Sequence, residues 1–256
     1  ANLSKATLAG ANLGGANLAF ANLTGVVSGN ISAPPSHLPS GWVFVADYLV
    51  GPGANLSGAN LSGTDLSYAD LSGANLISAS LIGTNLYVAD LGGANLTDVN
   101  LRSAYMVSAN LIGATLTKAT LTNANLSSAN LKGATLTGAN LSFANLTGAD
   151  LTNATLTGAN LSSANLSSAT PYNANLTEAN LSGATLSGAN LSFSNLTNAN
   201  LSSATLNGAW LLAANLSGAN LSYSNLIGAT LTNANLSGAL FCGTTMPDNR
   251  INNSGC

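Results

Sequence analysis

The chain has 256 residues, and only 5% of them are charged, against about 25% in ordinary soluble domains. Five basic and eight acidic residues leave a net charge of -3, too weak a field to hold nucleic acid or a charged membrane surface. Mean hydropathy is positive, yet no apolar run approaches the roughly 18 residues of a membrane span, so no membrane insertion is expected in this segment.

Residues 1–25 introduce a period of five. Leu recurs at Leu3, Leu8, Leu13, Leu18 and Leu23. No signal peptide or transit sequence is visible, and Ala1-Asn2-Leu3-Ser4 already fits the repeat, so upstream residues are expected to have been removed. Residues 26–53 break the frame and read as an insert. Ser32-Ala33-Pro34-Pro35-Ser36 is a loop by its prolines, Trp42 to Val45 and Tyr48 to Val50 read as extended segments, and Gly51-Pro52-Gly53 turns back. His37, the one histidine, lies here and has no partner that would activate it.

The main run, 54–243, carries Leu every fifth residue from Leu56 to Leu236, with Met106 and Pro171 as exceptions and Phe241 continuing the series. Ala usually stands two residues before each Leu, with Asn, Asp or Thr between them. The five slots are therefore Ala, Asn, Leu, Ser or Thr, and Gly or a variable residue. A period of five suits neither a helix nor a strand, so the chain must turn once per repeat. Gly58, Gly63, Asn123 and Asn153 in slot five predict type II corners, because Gly and Asn tolerate positive φ. By the same argument Phe143, Phe193 and Tyr223 are expected in corners without positive φ. Slots one and three should point inward and slot two outward. Pro171 should dent the wall, having neither an inward Leu side chain nor a backbone donor.

These A-(N/D)-L-x-x units resemble the pentapeptide-repeat family, over most of the chain. The resemblance implies an all-β fold, a right-handed quadrilateral β-helix of about ten coils, with about 20 residues to each coil. Strand-like spacing near 4.8 Å would then make a rod about 50 Å long. Residues 244–256 end the chain as a C-terminal cap. Cys242 and Cys256 are the only cysteines, and an even pair across a short loop suggests one disulfide, the alternative being two free thiols. A disulfide points to an oxidising, extracytoplasmic compartment, periplasm or thylakoid lumen. Similar tails in cyanobacterial and lumenal members of the family point the same way.

Catalytic signatures are missing. There is no phosphate-binding Gly-rich loop and no Cys/His metal cluster, and one histidine cannot furnish a Ser-His-Asp set with confidence in its partners. No enzyme activity, cofactor or metal is expected. Asp70 and Asp90 should fall on one face of adjacent coils, with Asp65 one side away, and read as solvated carboxylates. The many Asn-Leu-Ser and Asn-Leu-Thr sequons are a by-product of the repeat. Some pentapeptide-repeat proteins mimic DNA to occupy topoisomerases, but a 50 Å rod would need about thirty negative charges for that, and eight acidic residues do not supply them.

What remains is a non-enzymatic structural or protein-interaction solenoid. Wrapping the repeats places Tyr68, Tyr87, Val88, Tyr105 and Val107 on one face, an apolar patch of the kind that marks a contact with a protein partner unless the insert covers it. The first coil has an open edge, for which the expectation is a preceding segment in the native chain or end-to-end association with another copy. An alternative reading is ice or ordered-water binding. Thr97, Thr117, Thr137, Thr157, Thr177 and Thr197 form a ladder, doubled by Thr115, Thr135 and Thr155 and flanked by Lys118.

Overall fold

A computed structural model describes residues 1–256 and contains no helix. Its four named strands are short: β1 (Val43–Val45), β2 (Tyr48–Val50), β3 (Thr244–Thr245) and β4 (Ile251–Asn252). The rest pairs through single parallel bridges between residues twenty apart, such as Asn55↔Asn75, Asn60↔Ser80, Asp65↔Asn85 and Asp70↔Asp90, the exceptions being Asn12↔Ala33 and Val27↔Asn55 beside the hairpin. We call each such twenty-residue circuit a coil and number its sides one to four from these pairs.

One repeat shows how the backbone is satisfied. Leu56 N–H donates to Asn75 O of the next coil at 2.7 Å, and Gly58 N–H donates to Ile77 O at 2.9 Å. Asn75 N–H returns a bond to Ala54 O at 2.9 Å, and Ala59 N–H closes the corner onto Leu56 O at 3.0 Å. The slot-four amide is left over. Ser57 N–H donates instead to Asn55 Oδ1 at 3.3 Å. Slot two is therefore Asn or Asp for a structural reason: its side chain bonds the amide two residues on, a turn motif these residues favour. All five amides of the repeat then have partners, as buried backbone requires.

The interior follows from slots one and three. Along the main run the slot-three Leu side chains from Leu56 to Leu226 are essentially inaccessible, as are most slot-one Ala residues. Polar exceptions in slot one are accommodated by the corner itself. Thr64, Ser194 and Ser224 hydroxyls donate to Leu61, Leu191 and Leu221 carbonyls at 2.6–2.7 Å, which offsets the cost of burying them.

Two expectations need correction. Every slot-five residue from Gly58 to Gly243 has positive φ, including Phe143 (59°), Phe193 (62°) and Tyr223 (60°). Even β-branched Val88 adopts 55°. Left-handed backbone costs a non-glycine residue roughly 1–2 kcal/mol, but any other corner would break the bonds to both neighbouring coils. Register outweighs local preference.

The second correction concerns the insert. The chain does not leave the wall at residue 26: Val27, Ala33 and His37 pair in parallel with Thr7, Asn12 and Asn17. Val26 and Ile31 are buried there in the manner of the repeat's Ala and Leu. The true excursion is the β1–β2 hairpin, antiparallel with Val43↔Val50 and Val45↔Tyr48. Its Leu49 is fully buried and donates its N–H to Ser28 Oγ at 2.9 Å, Ser28 standing in a Leu slot. Trp42 packs against both the main core and the small N-terminal one, and a Cβ on Gly51 would overlap its indole. Only then does Val27 pair with Asn55 and regular stacking begin.

At Pro171 the dent is confined to one rung. Pro171 is buried in its slot, the corner bond from Ala174 N–H lengthens to 3.3 Å, and the bridge expected between Thr170 and Asn190 is missing.

Candidate interaction surfaces

Slots two, four and five face solvent, so any function must be built from their rare departures from Asn, Ser, Thr and Gly. Tyr68, Tyr87, Val88, Tyr105 and Val107 lie together on side three and its corner. Tyr68 and Tyr87 meet edge to face with ring centroids 5.5 Å apart, and Tyr87 stacks on Tyr105 at 6.1 Å. Tyr68 is 70% exposed and Tyr105 45%. The hairpin does not cover them. Tyr48 turns toward side two, where its hydroxyl accepts from Asn60 N–H at 3.3 Å, and Gly41 lies beside Asp70 on side four.

The threonines divide into two groups. Thr97, Thr177 and Thr197 donate their hydroxyls to Asn95, Asn175 and Asn195 Oδ1 at 2.6–2.7 Å. Thr117, Thr137 and Thr157 follow Thr115, Thr135 and Thr155, which bridge one another coil to coil and offer no such acceptor. The ladder is thus a three-coil array of paired hydroxyls with a self-satisfied extension on each side.

The acidic residues serve the turn. Asp65 accepts from Ser67 N–H at 3.0 Å and from Asn85 Nδ2 at 2.9 Å. The Ser67 hydroxyl and then its amide hold its carboxyl below the ordinary value, against an opposing desolvation and with a smaller contribution from Asn85. Asp70 accepts the Ser72 amide and hydroxyl at 3.0 and 2.6 Å, and Asp90 accepts Gly92 N–H and Asn110 Nδ2, both at 2.8 Å. Asp70 and Asp90 are bridge partners, but each carboxylate is engaged within the wall. His37 is exposed, with Nδ1 3.2 Å from Ser36 Oγ.

Cys242 and Cys256 form a disulfide. It ties the chain end to the last corner, where β3 and β4 pair and Thr245 continues side three by bridging Asn225. Arg250 makes a 3.4 Å ion pair with Asp248 at the cap's exposed tip.

A second aromatic group escaped the sequence reading. Tyr172 and Phe193 meet at 5.4 Å on the corner of side four, and Trp210, 59% exposed, stands on that side one coil further on. The signal was available: wrapped at twenty, 172, 193 and 210 fall on successive coils of one face.

Parallel pairing at an offset of twenty through the main run, with a corner at every fifth residue, defines an all-β repeat protein without helices. The chain belongs to the pentapeptide repeat family. The model described as pentapeptide repeats matches in eight copies over residues 1–27, 54–93, 94–133, 104–142, 134–170, 174–211 and 211–246. The stretches it leaves out between these are 28–53 and 171–173, the hairpin segment and the Pro171 dent. Among solved structures the chain is similar to HetL, a pentapeptide repeat protein involved in heterocyst differentiation regulation in the cyanobacterium Nostoc. Identity is 35% over 77% of this chain and 91% of HetL, with a TM-score of 0.29. It is also similar to Rfr23 from the cyanobacterium Cyanothece, at 41% identity over 37% of this chain and 58% of that one, TM-score 0.19. A thylakoid-lumen protein of Arabidopsis thaliana shows 35% identity over 36% and 61% of the two chains, TM-score 0.21. No curated protein matches the chain. No helix is long and apolar enough to cross a membrane.

Proposed function

We propose that the chain is a non-catalytic interaction scaffold, a right-handed quadrilateral β-helix of about ten coils and some 50 Å in length. Residues 54–243 are its rod, with 1–25 and 26–53 at one end and the 244–256 cap at the other. The carrying observation is the Tyr68–Tyr87–Tyr105 ladder: three rings on successive coils packed on one another, Tyr68 and Tyr105 exposed and Tyr87 half-buried between them. Exposed tyrosines joined to Val88 and Val107 offer a partner rigid apolar area with polar tips. A rigid wall beneath them lowers the ordering cost of binding. The disulfide and the lumenal relative support a place outside the cytoplasm.

The test is affinity capture from extract of the native compartment with the parent and a Tyr68→Ser, Tyr105→Ser variant. Proteins held by the parent and lost by the variant support the ladder as the contact surface. Identical captured sets from both overturn it.

The free hydroxyls of Thr115, Thr117, Thr135, Thr137, Thr155 and Thr157 favour a second reading, ordered-water or ice binding. Thermal hysteresis that disappears in Thr117→Lys, Thr137→Lys would support it, and no hysteresis in the parent would end it.

A further inference from the structure

A different face carries a second binding feature. Sides 170–173, 190–193, 210–213 and 230–233 stack as side four of successive coils and contain no charged residue. Three aromatic rings emerge there within three coils. Tyr172 is 38% exposed, Phe193 47% and Trp210 59%, with Leu212 beside them at 37%. Elsewhere on this side slot two is Asn, Asp or Thr, so Trp210 replaces a residue that would bond its own turn. The neighbouring rung is also incomplete. Pro171 has no N–H, so the Asn190 carbonyl receives no backbone bond, whereas the corresponding carbonyls of the repeats before and after it, Thr185 and Asn195, accept from Leu166 and Leu176.

We propose that this face binds an extended strand of neutral polysaccharide. Aromatic faces accept the C–H-rich faces of pyranose rings; Tyr172 and Phe193 meet edge to face at 66° on the corner, and Trp210 stands at slot two of the next coil, so the rings offer separate contact points for successive sugars of one chain. The Trp210 indole N–H and Tyr172 hydroxyl supply donors at its edge. Threonine and asparagine side chains of the same sides add donors and acceptors suited to hydroxyl groups. Absence of charge selects a neutral ligand over an anionic glycan or nucleic acid. Because the wall is rigid, the platform is formed before the ligand arrives.

This surface is separate from the Tyr68 ladder, so either can fail alone. The intact chain is titrated with cellohexaose, xylohexaose and maltohexaose while tryptophan fluorescence and heat are followed. Trp42 is partly buried against the core, so Trp210 is the more exposed of the two tryptophans, and the Trp210→Asn variant isolates its signal. The expected result is saturable binding to at least one hexasaccharide, weakened tenfold or more in both Trp210→Asn and Tyr172→Ser and unchanged in Tyr105→Ser. Trp210→Asn installs the repeat's ordinary slot-two residue, so loss of binding would not reflect loss of fold. No binding up to millimolar sugar overturns the proposal, as does equal binding by Trp210→Asn. Binding confined to a sulfated or uronic oligosaccharide control also overturns it.

Discussion

Leu8 and Leu136 occupy the same slot on the same side of the wall, eight residues from one end and in the middle. Their backbones are treated alike: Leu8 N–H donates to Val27 O at 2.8 Å, and Leu136 N–H to Thr155 O at 2.7 Å. Their side chains are not. Leu136 is fully buried, whereas Leu8, with Leu3 and Leu13, stays partly exposed. The repeat thus sets corner and register locally, but burial depends on having a coil on both sides. Stability in such an array is a sum over neighbouring interfaces. The small core of Leu18, Leu23, Val26, Ile31 and Leu49 is where the hairpin compensates, sending Leu49 inward from outside the repeat frame.

The sharpest way to break this comparison is to truncate both leucines. Leu136→Ala should cost about 3–5 kcal/mol, because the removed atoms leave a closed cavity. Leu8→Ala should cost about 1 kcal/mol, since solvent already reaches the site. Urea unfolding of the two variants, with m values checked for a shared transition, reads the difference. Equal losses would mean that the first coil is as well packed as the middle, contrary to the burial described here.

At the other end the disulfide should act on the cap and not on the rod. Loop closure over the 14 positions separating Cys242 and Cys256 is worth about 3 kcal/mol. In Cys256→Ser the Thr245 amide, bonded to Ser224 O, and the Met246 amide, bonded to Arg250 O, should exchange roughly a hundredfold faster. The Leu136 amide should be unaffected. Accelerated exchange at Leu136 would show that cap and middle open together, and the division into regions would fail.

The sequence made the period, the inward Leu and Ala and the turn at every fifth residue legible, because each depends on one residue type at one spacing. Phe143, Phe193 and Tyr223 were misread for an instructive reason. Their local preference argues against positive φ, and the deciding force is the hydrogen bond each slot-five amide makes to the next coil, a partner about twenty residues away. The role of slot two was hidden similarly, since Asn looks like ordinary surface polarity until the slot-four amide is seen to lack any other partner. Ala33 and His37 keep the wall without keeping the motif, and no five-residue pattern marks them. Tyr68, Tyr87 and Tyr105 could be placed together from the period alone, but their exposure depended on where the hairpin lay.

The smallest expected effect isolates the local half of the comparison, the slot-two bond, from burial. Asp65 replaces the usual Asn and is exposed, so its contribution is not one of packing. Hydrogen bonds from Ser67, first its hydroxyl and then its amide, lower the carboxyl's pKa in the folded chain. A depressed folded value means that the native state favours the charged form. The stabilisation is therefore present above the unfolded carboxyl's pKa, near 3.9, and is lost as pH falls from there through the lower folded value. Asp65→Asn keeps an acceptor for the Ser67 amide and removes the titration. The variant should match the parent at neutral pH, and the parent should weaken relative to it only below about pH 4. Parallel stability curves for the two proteins down to pH 2 would show that the Ser67 contacts do not distinguish the charged from the neutral carboxyl, and that slot two needs only an oxygen at this position.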